Sequence, residues 1–226
     1  MTRGILIAGN ESPLFVATAD EAVTRVKSFA SILIPNRFST NGKGTTPPPK
    51  VKLSEGAIPL SWNPASSISA RTAVLAAENR LGQINDAILV CSPPAVFRTA
   101  EDFTPEEIEF FVNDNIKGWF FLIRELILYF RRAGKGSLSL VVPEISFDDK
   151  TAQSDLLGPP ALASFRAYTQ SILAISTNEP FLFMGFTGCE AGAEKEFSEW
   201  LFKIIDEGAK KNRGRLLKYS KLKFFR

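Results

Sequence analysis

Apolar residues in this chain fall into two rhythms, and the alternation between them predicts the fold. Short unbroken runs read as strands buried on both faces: Ile5-Leu6-Ile7-Ala8, Phe29 to Ile34, Ala87 to Cys91, Ser137 to Val142, Phe181 to Phe186 and Arg215 to Tyr219. Ala57 to Trp62 is a weaker run of the same kind. Between the runs, apolar positions recur every three or four residues, the spacing of one helix face. These stretches are Leu14 to Val26, Asn63-Pro64 to Leu81, Thr104 to Ala133, Pro160 to Ser176 and Glu194 to Ala209. Strands alternating with helices predict an α/β chain: a Rossmann-like, doubly wound parallel sheet of about seven strands with helices on both faces. Residues 1–226 read as a single domain, with 36–56, rich in Gly, Pro, Ser and Thr, as a flexible loop. Such sheets bind ligands beyond the carboxyl ends of their strands. Those ends are Gly9-Asn10, Trp62, Cys91-Ser92, Pro143-Glu144 and Thr187-Gly188.

The stretch from Thr104 carries the strongest signals. Thr104 and Glu107 form a capping box around Pro105, and Gly134 and Gly136 follow Arg131 and Arg132 at the far end. Ile108, Phe111, Val112, Ile116, Trp119, Phe120, Ile123, Leu126, Ile127 and Phe130 make one stripe. Phe110, Phe121, Leu122, Leu128 and Tyr129 fill much of the remaining circumference. A helix apolar on more than one face needs more than one partner surface. Lys117, Arg124 and Glu125 interrupt it well short of the ~18 apolar residues of a membrane span.

Composition narrows the chemistry. With 226 residues, 45% hydrophobic and 23% charged, the chain can bury a generous core. A net charge of +3 gives no footing for nucleic acid. The absence of histidine removes imidazole acid–base chemistry and His-based triads and zinc sites. Cys91 and Cys189 lie far apart without metal spacing, and no signal-peptide pattern precedes the first strand, so the expected compartment is the cytoplasm.

Asn115-Ile116-Lys117-Gly118 inside the long helix, then Ala133-Gly134-Lys135-Gly136-Ser137 entering a strand, resemble the Asn-Leu-x-Gly helix and Gly-Ser strand of the short-chain dehydrogenase/reductase family. Leu81 to Val90 resembles that family's run into its Asn-Asn-Ala-Gly turn. Leu60-Ser61-Trp62 stands where Leu-Asp-Val is expected, and Phe186-Thr187-Gly188 is similar to the Pro-Gly after the sixth strand. The resemblance covers nearly the whole chain and implies a nicotinamide cofactor, which this sequence is poorly equipped to hold. The family's Thr-Gly-x-x-x-Gly-x-Gly turn lets the backbone approach a pyrophosphate at a helix N-terminus. The matching stretch is Ala8-Gly9-Asn10-Glu11-Ser12-Pro13-Leu14-Phe15, with one glycine of three. Pro13 lacks an N–H, Leu14 and Phe15 add bulk, and Glu11 adds negative charge. The Asn-Asn-Ala-Gly turn is Cys91-Ser92-Pro93-Pro94. Arg37 reads either as a solvated loop arginine or as a contact for a 2′-phosphate, which would favour NADP over NAD. If a cofactor binds, the resemblance places it on Gly9, Asn10, Arg37, Cys91, Ser92, Thr187 and Gly188.

Catalysis in the family uses Asn, Ser, Tyr and Lys, the tyrosine hydroxyl exchanging the proton while the lysine lowers its pKa. Asn115 is present, with a structural alternative implied by the same resemblance: breaking a helix turn and holding water against the backbone. The serine position falls near Pro143, and the Tyr and Lys positions near Ala161–Leu162 and Phe165–Arg166, where only Arg166 supplies charge. Without such an acid the usual proton transfer has no agent. Tyr219-Ser220-Lys221-Leu222-Lys223 matches Tyr-x-x-x-Lys in letters, but on a strand its ends lie ~13 Å apart. Glu144 and Ser146 are the best substitutes for the lost groups, ahead of Asp155 and Glu179, with loop hydrogen bonding as the alternative role. The basic run from Lys210 to Arg226 reads as an edge strand protected from aggregation, or as a binding tail. Only Cys189 to Ala193 separates Gly188 from the last helix, too short for a substrate lid.

The expected function is therefore that of a short-chain dehydrogenase/reductase-like protein that has lost conventional dehydrogenase activity and acts in binding or oligomeric assembly. No cofactor is expected, or NADP(H) if any. The family pairs subunits through its equivalents of helices 104–133 and 160–176, which implies a homodimer or homotetramer. No nucleic acid partner and no membrane insertion are expected. The alternative is a divergent NAD(P)H-dependent oxidoreductase using Asn115, Glu144 or Arg166.

Overall fold

In the computed structural model, which describes residues 3–36, 53–144 and 155–220, every strand joins one parallel sheet. The strands are β1 (Ile5–Asn10), β2 (Phe29–Ile34), β3 (Ala57–Pro59), β4 (Asp86–Val90), β5 (Ser137–Val142), β6 (Leu182–Thr187) and β7 (Arg215–Lys218). Their order is β3-β2-β1-β4-β5-β6-β7, with each neighbouring pair parallel. The strand order reverses between β1 and β4, which opens a crevice beyond their carboxyl ends.

The unbroken apolar runs follow from burial on both sides. Ile5 and Ile7 of β1 pack toward α1 (Pro13–Val23) and α6 (Glu194–Glu207). Leu6 and Ala8 pack toward α2 (Ser67–Leu81), α4 (Gly118–Ala133) and α5 (Gly158–Ile175). No helix among the described residues is long and apolar enough to cross a membrane.

Most boundaries lie within a few residues of those predicted, and the differences have local causes. The Asn63 side chain accepts from the Ala65 amide in a turn of its own, and Ser66, accepting from the Ser69 amide at 3.2 Å, caps α2 instead. The weak strand stops at Pro59, and Trp62 leaves the sheet to pack on Trp119, with ring centroids 5.9 Å apart.

The long helix is the main revision. It begins at α3 (Pro105–Val112) with the predicted capping box: the Glu107 amide donates to Thr104 Oγ1, and the Thr104 amide to Glu107 Oε2. It then passes through a π-helical turn, Asn113–Lys117, before α4. The wider turn delays the helix face, so what reads as one stripe is two offset ones. Phe111 enters a small separate cluster with Val96, Phe103 and Ala161, leaving Ile108 and Val112 exposed. After the turn, Trp119, Leu122, Ile123, Leu126, Tyr129 and Phe130 are buried on the sheet, and Leu128 is exposed. Gly118 is required where the turn ends, since a Cβ there would lie 2.5 Å from Pro64.

Candidate functional site

The crevice begins at the turn from β1 into α1. Ser12 caps the helix, accepting from the Phe15 amide at 3.2 Å. The Glu11 amide donates to the Ile34 carbonyl at 2.9 Å, and Pro13 has no N–H to give. Of the groups at this helix end, Pro13 has no donor and the Glu11 and Phe15 amides are engaged within the fold. Phe15 is buried, its ring lying against Gly9: a Cβ added to Gly9 would sit 2.4 Å from Cδ2 of the ring. Gly9 accommodates a phenyl ring. Glu11 Oε2 accepts from the Asn36 amide at 3.3 Å. The cleft bordered by Glu11, Ile34, Pro94 and Asp114 has a volume of about 10 Å³, roughly the room one water needs.

The next layer is a buried amide network. Asn10 Nδ2 donates to Asn115 Oδ1 at 2.8 Å, Asn115 Nδ2 donates to the Phe111 carbonyl at 3.0 Å, and the Ser92 amide donates to Asn10 Oδ1 at 2.9 Å. Three elements are tied at one point: the end of β1, the segment after β4 and the π-helical turn. Asn115 is 2% exposed, and its carbonyl and amide both have protein partners, so the side-chain amide itself meets the helix carbonyl. The sequence singles out Asn10 and Asn115 for separate roles; their pairing, across 105 residues, emerges only in three dimensions. Asp114, buried beside them and bordering the same cleft, escapes sequence reasoning, although Asn113-Asp114-Asn115 is a visible polar break in an apolar helix.

The other half of the crevice is organised separately. Arg166 on α5 donates to Thr187 Oγ1 at 3.1 Å. The Tyr219 amide donates to the Thr187 carbonyl, and Gly188, at φ +92°, has the Tyr219 carbonyl where a Cβ would go. Glu144 is exposed and ion-paired with Lys218 at 2.8 Å, so it sits on the rim above β5 and β7. Cys91 is fully buried, and burial holds its thiol far above the ordinary value. Cys189 is pushed up to about 12 by burial, then by Glu194 and Glu190. Neither is a ready thiolate. Asp155 accepts from the Leu157 and Gly158 amides at the start of α5, and Glu179 pairs with Arg131. Arg37, Ser146, Lys221 and Lys223 lie outside the described residues.

All three tyrosines are committed elsewhere. Tyr129 accepts from the Ile84 amide just before β4, at the opposite, amino-terminal end of the strands, and burial raises its pKa. Tyr168, two residues past Arg166, stacks on Phe120 at 4.1 Å, and burial raises its pKa too. Tyr219 packs its ring among Phe197 and Trp200 of α6. Among the described residues, no group of three His, Cys, Asp or Glu side chains is arranged to hold a metal.

No protein-family model matches this sequence, and no curated protein matches it. Its fold does have solved counterparts. A short chain dehydrogenase from Mycobacterium smegmatis superposes with a TM-score of 0.71 at 12% identity, covering 98% of this chain and 94% of that one. A 3-ketoacyl-ACP reductase from Sinorhizobium meliloti gives 0.68 at 15% identity, with 96% of each chain covered. The corresponding reductase from Brucella melitensis, solved in complex with NADH, gives 0.66 at 14% identity over 96% of each chain. The superpositions extend along nearly the whole length: this chain has the short-chain dehydrogenase/reductase fold.

Proposed function

We propose that this chain is a short-chain dehydrogenase/reductase-like protein without conventional dehydrogenase chemistry, serving as a binding or oligomeric assembly protein. What supports this reading is the crowding at the β1–α1 turn, where the fold would bring a pyrophosphate: the Phe15 ring packs against Gly9, and Glu11 borders the adjoining cleft. The small cleft beside Glu11 and Asp114, about 10 Å³, has room for roughly one water. The residues present do not fit the dinucleotide, and no phenol stands in the crevice to exchange a proton. The free thiols of Cys91 and Cys189 agree with a reducing compartment, and we assign the protein to the cytoplasm.

Assembly is proposed through helices 104–133 and 160–176. The Phe120–Tyr168 stack, at the seam of α4 and α5 and only partly buried, supports this, as do the exposed Phe110 and Ile175. Light scattering at micromolar concentration should give a dimer or tetramer; a monomer would count against assembly.

A second reading, a divergent reductase, draws on Arg166, whose cation is held at Thr187 in the crevice, and on the NADH complex of the Brucella reductase. One experiment separates the two. A nucleotide at 100 times its dissociation constant adds ~2.7 kcal/mol, or about 5–10 °C in melting temperature at this size. Millimolar NAD, NADH, NADP and NADPH should leave the melting temperature unchanged. A rise with any of them would restore the reductase.

A further inference from the structure

The carboxyl ends of β5, β6 and β7, neighbours in the sheet, gather a charged constellation on the far side of the crevice from the β1–α1 turn. Glu144, two residues past β5, pairs at 2.8 Å with Lys218, the last residue of β7. The pair therefore crosses over the end of β6, since the outer two of three neighbouring strands lie about 10 Å apart. Lys218 leans over that end: its Cγ lies 3.2 Å from where a Cβ on Gly188 would be. Arg166 reaches the same place from α5, donating to Thr187 Oγ1 at 3.1 Å. Two cations thus converge on the last residues of β6, and one carboxylate serves them.

Arg166 is the member left without a counter-charge. It is half-buried, and among the described residues its one hydrogen-bond partner is the Thr187 hydroxyl; no carboxylate pairs with it. The half-buried Arg3, Arg25 and Arg98 each pair with a carboxylate. A guanidinium has five N–H donors, and a partly desolvated one gains most from a charged acceptor. Thr187, buried at the strand end, holds one nitrogen and fixes the fork, leaving the remaining donors for a planar, bidentate ligand. The Glu144 carboxylate on Lys218 shows the chemistry that this spot accepts. Both members of that pair are solvent-exposed, so the pairing is worth little and another carboxylate can displace Glu144 at small cost. We propose that Arg166 and Lys218 bind the carboxylate group of a small organic acid, with Glu144 as the internal competitor for the site. The assignment gives a ligand class to the binding role proposed above and rests on that reading.

Titration of the full chain with sodium acetate, sodium succinate and inorganic phosphate, at constant ionic strength against sodium chloride, tests this. Nitrogen-15 NMR follows the Arg166 Nε–H and the Gly188 amide. Both carboxylates should give saturable shifts at these two groups, and phosphate should bind more weakly. Glu144→Gln removes the competitor and should tighten carboxylate binding about two- to fivefold, the worth of an exposed ion pair. Arg166→Met should weaken it at least about tenfold, read at Gly188, and Arg166→Lys, which keeps the charge without the fork, should recover only part of the loss. Glu144 is exposed, so Glu144→Gln should fold as wild type does; should Arg166→Met fail to fold, the direction of the Glu144→Gln effect still decides. Overturning results are shifts that chloride reproduces, a preference for phosphate, weaker or unchanged binding in Glu144→Gln, or affinity indifferent to Arg166→Met. A failure here with nucleotide melts unchanged removes the ligand and leaves the reading of the β1–α1 turn standing. A melting temperature raised by nucleotide would overturn that reading whether or not carboxylates bind.

Discussion

The turn after β1 and the groove between α2 and α4 both present apolar side chains beside a charged rim, yet they are finished in opposite ways. At the turn, Phe15 is buried against Gly9, and the cleft beside Glu11 holds about 10 Å³. In the groove, Ile68, Leu75 and Leu128 remain exposed around about 420 Å³. The first surface has gained its burial free energy within the chain; the second still has it to gain.

Phe15→Ala is the largest test of that contrast. Removing a buried ring from the α1–β1 contact should cost about 3–5 kcal/mol in urea unfolding. Leu128→Ala, on the open groove, should fall within about 0.5 kcal/mol of wild type. If the two substitutions cost the same, the turn is not packed as described. Gly9→Ala is next. A methyl at that position meets the Phe15 ring at 2.4 Å and should destabilise by about 1–3 kcal/mol. The double variant Gly9→Ala/Phe15→Ala should cost less than the sum of the two, since the methyl then meets no ring. Additive costs would mean that glycine is required there for some other reason.

How much of this was readable beforehand differs between the two regions for a physical reason. Strands buried on both faces must be apolar throughout, so Ile5 to Ala8 and Ala87 to Val90 announce themselves, and the Thr104–Glu107 box marks a helix start through local hydrogen bonds alone. The contact of Phe15 with Gly9 is local in the same way, since the two stand within a few residues of each other. Features made by residues distant in sequence were not legible. Nothing near Asn115 indicates that it bonds Asn10, and Asn113-Asp114-Asn115 does not reveal that its helical turn will widen. The groove arises only when the outer stripes of two helices lie side by side, and neither stripe alone distinguishes an open face from a covered one.

The amide network offers a further test on the crevice side. Asn115→Ala would strand Asn10 Nδ2 in a buried setting, at a cost of about 1–3 kcal/mol. Asn10→Ala combined with Asn115→Ala should cost less than the two single changes added together, because each leaves the other's partner orphaned. Strict additivity in equilibrium unfolding would show that the two side chains do not share a bond in solution.

The smallest expected effect lies on the outer face of α4, where pairing rather than packing sets the energetics. Arg131 makes a double hydrogen bond to Glu179, which lowers the carboxyl pKa below its ordinary value. The folded pKa is depressed, so the stabilisation is fully present above the unfolded value, ~4.3 for glutamate, and is lost as pH falls through the folded value. Arg131 is half exposed, so solvent screening keeps the contribution below about 1 kcal/mol. Glu179→Gln should therefore be slightly less stable than wild type at pH 7 and indistinguishable from it near pH 3, by urea midpoint. Phe15→Ala should keep its full deficit at both pH values, because a phenyl ring does not titrate. A Phe15 deficit that shrank with acid would place a charged group in that contact, and the contrast between a packed turn and an ion-paired helix surface would fail.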